Sequence, residues 1–209
     1  MSRATALALV ESLHPHVNPI QNGLRVLDLS WCSGCLSDAA GPTLLSGLAA
    51  HPRLEELRLT KTGIAADAAQ ELGVMVACLP GLRVLELSWN DIGDDGAAAV
   101  ARAAGSAPRR ERGAERELRE LLLYSCGITD VGAAALTEHL RSGASRGGAR
   151  LEALDVSFNS IGKGAVAALL AAVEEGGRLR TFASEGAVEE CGTCGTKDCG
   201  SCAPLLGDW

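Results

Sequence analysis

The stretch Leu82-Arg83-Val84-Leu85-Glu86-Leu87-Ser88-Trp89-Asn90 carries leucine at its first, fourth and sixth positions and asparagine at its ninth. The same spacing returns, with Val at one sixth position and Cys, Thr or Asn at the ninth, in residues 24–32, 54–62, 118–126 and 151–159. Successive strings therefore start 30, 28, 36 and 33 residues apart. A unit of this length holds one strand and one helix and cannot bury its apolar side alone, so we predict a stacked array.

Three segments follow from this pattern. We predict a leading helix or partial-repeat cap over residues 1–23, a repeat array over 24–184 and a Cys-rich tail over 185–209. Thr5 to Leu13 has the apolar spacing of a helix, whereas Leu179-x-x-Phe182 begins a sixth string that fails at Ser184 and Glu185. Within the array, each string leads through a polar corner into an Ala/Leu-rich helical segment. Thr129 and Asp94 are the expected N-caps of two of these helices.

The net charge, the apolar runs and the cysteine positions limit the kinds of partner and the cellular compartment that we expect for this protein. A formal charge of -7 gives no general attraction for nucleic acid, so none is expected as a partner. The longest apolar run, residues 165–173, is too short to span a bilayer, and the N-terminus makes a poor secretory signal. With Cys32 and Cys126 at the ninth position of their strings, we expect reduced thiols and a cytoplasmic protein, with the nucleus and the oligomeric state left open.

Residues 82–93, 118–135 and 151–162, each leading into a Gly/Ala-rich helix, resemble the ribonuclease inhibitor-like class of leucine-rich repeats. The resemblance covers about residues 24–182. It implies an α/β solenoid shaped as a horseshoe, with parallel strands on the concave face and helices on the convex face. About five full repeats and partial terminal ones are expected. Members include ribonuclease inhibitor, the ligand-sensing part of NOD-like receptors and Ran GTPase-activating protein, and they mostly bind other proteins.

The strand period predicts which side chains meet a partner. Because positions four and six point inward, positions three, five and seven face the concave solvent. This surface leans acidic, and position eight adds rings at the strand ends. The predicted partner-binding residues are Asp28, Trp31, Arg58, Glu86, Trp89, Tyr124, Asp155 and Phe158. Exposed rings favour binding hot spots, and the alternative is that the rings only pack over the corner.

Two return loops, residues 105–117 and 141–150, are longer than the period requires. Because they belong to consecutive repeats, we expect them side by side on one edge. This basic edge would consist of Arg109, Arg110, Arg112, Arg116, Arg141, Arg146 and Arg150. Its guanidinium groups could bind carboxylates or phosphates, and the alternative is a pair of solvated loops.

The tail contains two Cys-x2-Cys pairs separated by four residues. Cys191, Cys194, Cys199 and Cys202 have the ligand count of a tetrahedral zinc site, so one zinc ion is the only cofactor considered. The gap is shorter than in zinc ribbons, which leaves a reduced tail or disulfide exchange as alternatives.

No arrangement typical of catalysis appears in the sequence. The four histidines are scattered, and no Gly-rich loop follows a strand with phosphate-binding spacing. We therefore predict a non-catalytic module or scaffold that binds another protein through the concave face and rim. The alternatives are a small-GTPase regulator of the Ran GTPase-activating type and a function carried by a zinc-binding or redox-active tail.

Overall fold

The computed structural model describes residues 8, 23–33, 36, 40–105, 118–145, 151–175 and 180–186. Over these residues, strands and helices alternate along the chain. The strands are β1 (Val26–Asp28), β2 (Glu56–Arg58), β3 (Val84–Glu86), β4 (Glu120–Leu122), β5 (Ala153–Asp155) and β6 (Thr181–Ala183). The helices are α1 (Ala40–Leu48), α2 (Ala69–Cys78, preceded by a 3-10 turn Ala66–Ala68), α3 (Gly93–Gly105), α4 (Asp130–Ser145) and α5 (Lys163–Glu174).

The strands form one parallel sheet in the order of the sequence, β1 to β6. Neighbours pair position for position, as Leu57 does with Leu85 and Leu85 with Leu121. Hydrogen bonding also continues beyond each three-residue strand, since the position-eight N–H of Trp89 donates to the carbonyl of Tyr124 at 2.8 Å. The predicted α/β solenoid of stacked repeats is confirmed.

The core lies between the sheet and the helices. From the second to the fifth repeat, positions four and six are buried, as predicted, and position one is buried as well; the residues are Leu54, Leu57, Leu59, Leu82, Leu85, Leu87, Leu118, Leu121, Leu123, Leu151, Leu154 and Val156. In β1, Leu27 is only partly buried. Interior repeats are therefore covered on both sides by neighbours, which is the condition for stability in a repeat array.

Position nine joins each repeat to the one before it. The buried Asn90 Oδ1 accepts the N–H groups of Thr62, Gly63 and Ile64 at 3.0–3.1 Å, while its Nδ2 donates to the Leu59 and Leu87 carbonyls. Asn159 repeats this arrangement on the preceding corner, at the N–H groups of Cys126 and Ile128. Both ends of each amide are used, so the corner's polar backbone is satisfied inside the core.

The aspartate at the start of α3 does not cap its own helix, contrary to the prediction. Asp94 Oδ1 accepts the N–H groups of Thr129 and Gly132 at 2.8 and 2.9 Å, which lie at the start of α4. Helix starts of adjacent repeats are neighbours, so the carboxylate reaches the next unit. A Cβ at position 132 would clash with that carboxylate, which explains the glycine. Thr129 itself caps α4 as predicted, since its Oγ1 accepts the N–H of Val131 at 3.2 Å.

One predicted boundary needs correction. Helix α4 continues to Ser145, so residues 141–145 are helical and the return loop is shorter than predicted. In the sixth repeat, the strand Thr181–Ala183 is followed by a turn that includes Gly186. The leading helix over residues 5–13, apart from residue 8, and residues 106–117, 146–150 and 187–209 lie outside the described residues. In the part of the chain that the structure describes, no helix has the length and apolarity to cross a membrane.

Candidate protein-binding surface

Aromatic side chains form a continuous row along the ends of β3, β4 and β5. The ring centroids of Trp89 and Tyr124 are 5.2 Å apart, and those of Tyr124 and Phe158 are 4.8 Å apart. Trp89 is 51% exposed and Phe158 is 52% exposed, so about half of each side chain is accessible to solvent. We call Trp89, Tyr124 and Phe158 the aromatic row. These predicted residues, which come from three different repeats, are brought together by the structure.

The backbone beneath the row has an unusual and repeated conformation. At position eight, φ is 65° in Trp31, 60° in Trp89 and 57° in Phe158. Lys61 and Ser125 share this left-handed conformation, and so does Gly186 in the sixth repeat. Residues other than glycine adopt this backbone conformation at a cost of roughly 1–2 kcal/mol each. The N–H of every one of the five non-glycine residues bonds to the position-seven carbonyl of the next repeat, at 2.6–3.0 Å, which fixes this conformation and aims the side chains outward.

The first two repeats contain a cation beside their ring. Trp31 is 67% exposed and stands apart from the aromatic row, and the Lys61 Nζ lies 5.2 Å from its ring centroid. This is the distance range of a cation–π contact.

On the concave face, positions three and five are at least partly exposed, as predicted, and their carboxylates outnumber their one base. Position seven is buried at Thr60, Ser88 and Ser157, contrary to the prediction. Arg58, the basic residue at position five, lies 2.9 Å from the Glu56 carboxylate and 3.9 Å from the Glu86 carboxylate. Two predicted contact residues have a structural role as well: Asp28 accepts the N–H of Ser30 at 2.9 Å, and Asp155 that of Ser157 at 2.8 Å. Hydrogen bonds from the Ser30 hydroxyl and N–H hold the pKa of Asp28 below its usual value, so this carboxylate stays ionised at neutral pH. Both aspartates stiffen the strand ends through these bonds.

A row of charges at position two escaped the sequence analysis. Glu55 lies 3.2 Å from Arg25 and 3.3 Å from Arg83, and Glu152 lies 3.6 Å from both Arg119 and Arg180. Four arginines thus share two glutamates, which leaves an excess of two positive charges along the starts of the strands. Exposed ion pairs add little stability, so the row acts mainly on surface potential. Its signal in the sequence was an Arg or Glu directly after the first leucine of each string.

Of the predicted basic edge, the structure describes Arg141 alone. Arg141 lies on α4 rather than in a loop, and its Nε donates to Glu175 at 3.1 Å. This exposed pair accompanies the extension of the helix past Leu140. The other arginines of the basic edge, Arg109, Arg110, Arg112, Arg116, Arg146 and Arg150, lie outside the described residues.

The cysteines of the array form no metal cluster among the residues that the structure describes. Cys126 is buried, and its thiol donates to the Leu87 carbonyl at 3.3 Å. Burial raises the pKa of this thiol to about 12, so it is protonated and inert in neutral solution. The predicted zinc ligands Cys191, Cys194, Cys199 and Cys202 lie outside the described residues and stay a prediction.

Comparison with known proteins agrees with this geometry. The family described as "Leucine Rich repeat" matches residues 80–101, 116–136 and 151–170. The chain folds as a leucine-rich repeat solenoid. A similar solved structure, leiomodin-1 actin-binding site 2, has a TM-score of 0.50 and 14% identity. The match covers 71% of this chain and 80% of that one, and at such identity it concerns the fold alone. No curated protein matches the sequence of this leucine-rich repeat chain at a significant level.

Proposed function

We propose that this leucine-rich repeat chain is a non-catalytic module that binds another protein through its concave face and aromatic row. The observation that carries the proposal is the row itself, in which three neighbouring rings lie at the ends of β3, β4 and β5, along one edge of the concave face. Two of them are about half exposed. Large rigid rings contribute much burial at small entropic cost, and they dominate the energy of many interfaces.

Single exposed apolar residues occur elsewhere but form no comparable row among the described residues. Val131 on α4 is 70% exposed and Val74 on α2 is 54% exposed, each on the helical side of the solenoid. Isolated exposures of this kind are ordinary for a protein surface.

The repeat subtype and the similar solved structure both support a binding function. We assign the repeats to the ribonuclease inhibitor-like subtype on the strand, corner and α-helix in each unit, and we keep the cytoplasm as the proposed compartment. The similar structure, leiomodin-1 actin-binding site 2, bears the name of a protein-binding segment. It supports binding as the kind of function, and it gives no reason to choose the same partner.

Capture from a cell lysate followed by direct titration tests the proposal. The protein retained by the wild-type chain is identified, purified and titrated calorimetrically against wild type, Trp89→Ala and Val131→Ala. We expect Trp89→Ala to weaken the complex by about 2 kcal/mol or more, because truncating a large exposed ring of the row removes a binding hot spot. Val131→Ala removes an apolar side chain that is even more exposed, on the helical side, and should leave the affinity unchanged. Equal affinity of all three proteins would place the interface elsewhere.

The other two functions stay hypotheses that no described feature favours. A small-GTPase regulator would raise the hydrolysis rate of candidate GTPases in a turnover assay. A functional tail would depend on residues 191–202, which lie outside the described part of the structure.

A further inference from the structure

The concave face has two halves that differ in how their acidic groups are compensated. On the β1–β2 side, Arg58 pairs with Glu56 and approaches Glu86, and Lys61 stands over the ring of Trp31. This half supplies its own cations. Arg58 lies 2.9 Å from Glu56 but 3.9 Å from Glu86, so it compensates Glu86 only in part. Positions three and five of the following strands contain no base; they are Val84, Glu86, Glu120, Leu122, Ala153, Asp155, Thr181 and Ala183.

Within that second half, acidic groups flank an apolar centre. Glu86, Leu122 and Asp155 are partners in register on β3, β4 and β5. Neighbouring strands lie about 4.8 Å apart, so the two acidic residues stand roughly 10 Å from one another with Leu122 between them. Glu120 is two residues before Leu122 on the same face, and it is exposed. The aromatic row runs directly past the end of this group.

We propose that the partner presents a basic segment here, with one lysine or arginine side chain lying over Leu122. This inference rests on the proposed function and names the chemistry of its partner. The aliphatic stem would pack on Leu122, and the charge would lie between Glu86 and Asp155. The ring of Tyr124 or Trp89 would meet the same cation, as the ring of Trp31 meets Lys61 within this chain.

The position-two row sets the orientation of such a segment. Arg83 and Arg119 are neighbours along that row, with no glutamate between them. They lie at the N-terminal ends of β3 and β4, whereas the aromatic row lies at the C-terminal ends. A cation on the partner would be repelled there and attracted towards the acidic rows and the rings. The segment should therefore direct its basic residues to the aromatic side of the concave face, and acidic residues, where present, to the arginine side.

Fluorescence anisotropy with two synthetic peptides provides the test. One peptide alternates lysine with alanine, and a length-matched one alternates glutamate with alanine. We expect the lysine peptide to bind wild type and the glutamate peptide to bind at least about tenfold more weakly, with binding of the former falling as salt rises. The variant Glu86→Gln/Glu120→Gln/Asp155→Asn should reduce lysine-peptide affinity roughly tenfold. The matched control Asp67→Asn/Glu138→Gln/Glu174→Gln changes net charge equally on the helical side and should have no effect.

A second variant keeps the test decisive if the triple substitution disturbs folding. Leu122→Lys places a cation of this chain at the proposed position, and it should abolish lysine-peptide binding while circular dichroism shows an intact fold. Equal binding of both peptides, or equal loss in the control variant, would overturn the inference. If the captured protein partner is lost with Trp89→Ala but unaffected by the acidic triple variant, the binding surface stands and the basic segment is wrong.

Discussion

At the scale of single residues, position nine decides how firmly a corner is held. Asparagine offers an acceptor and two donors on one short side chain, and Asn90 uses them on both sides of the joint between repeats. Thr62 at the same position serves a smaller role, with its Oγ1 donating to the Leu59 carbonyl at 2.9 Å. The position itself is visible in the sequence. Its partners are not, because they belong to the preceding repeat.

Asn90→Ala should destabilise the protein by about 2–4 kcal/mol, because it leaves the N–H groups of residues 62–64, two of them buried, without the side-chain acceptor that they share. Urea unfolding followed by circular dichroism measures the change. Cys32→Ala is the matched control, since it alters the same position in the first repeat, where the side chain is only partly buried. A cost no larger than that of the control would show that the amide is not needed to hold the corner.

At the scale of elements, short strands and helices gain their stability from neighbours. Each strand has three residues, too few to persist alone, and the leucine pattern predicted their positions well because burial has period two. Helix ends were predicted less well. Residues 141–145 read as a loop from their Ser and Gly content, whereas the contact of Arg141 with Glu175 of the following repeat accompanies a longer helix.

Leu123→Ala should cost about 2–5 kcal/mol of unfolding free energy, since it opens a cavity in a fully buried interior layer. Leu27→Ala in the first strand should cost less, because Leu27 is only partly buried. Parallel urea titrations of both variants give the comparison. Matching losses would mean that β1 is as well covered as β4, contrary to the burial described here.

At the scale of the whole molecule, repetition made the fold readable from one sequence. The candidate residues of the concave face were also predictable, because position five of each string returns to the same face. Contacts such as Asp94 with Thr129 were not, since repeats of unequal length hide the alignment of their helix starts. The chemistry of the tail depends on residues outside this repetition, so the pattern gives no guide to it.

A four-cysteine zinc site in the tail would order independently of the array, because metal binding would supply its folding free energy. Protein purified without chelator should carry about one zinc per chain by elemental analysis, held by Cys191, Cys194, Cys199 and Cys202. Cys194→Ser/Cys199→Ser should abolish zinc binding while the thermal melt of the solenoid is unchanged. Absence of metal together with four freely reactive tail thiols would rule the site out.

The joints between repeats give the array a direction. Asn90 and Asn159 serve the repeat before their own, whereas Asp94 and Asp130 serve the repeat after, at Gly132 and Gly162. Shortening the protein is therefore not symmetrical. Removing units from the C-terminal side takes amide acceptors away from a buried corner, whereas removing them from the N-terminal side takes a carboxylate from a helix start at the surface. Truncation from the C-terminal side should therefore lower the stability more than truncation from the N-terminal side. A shortened variant should replace the lost amide at its new C-terminal end.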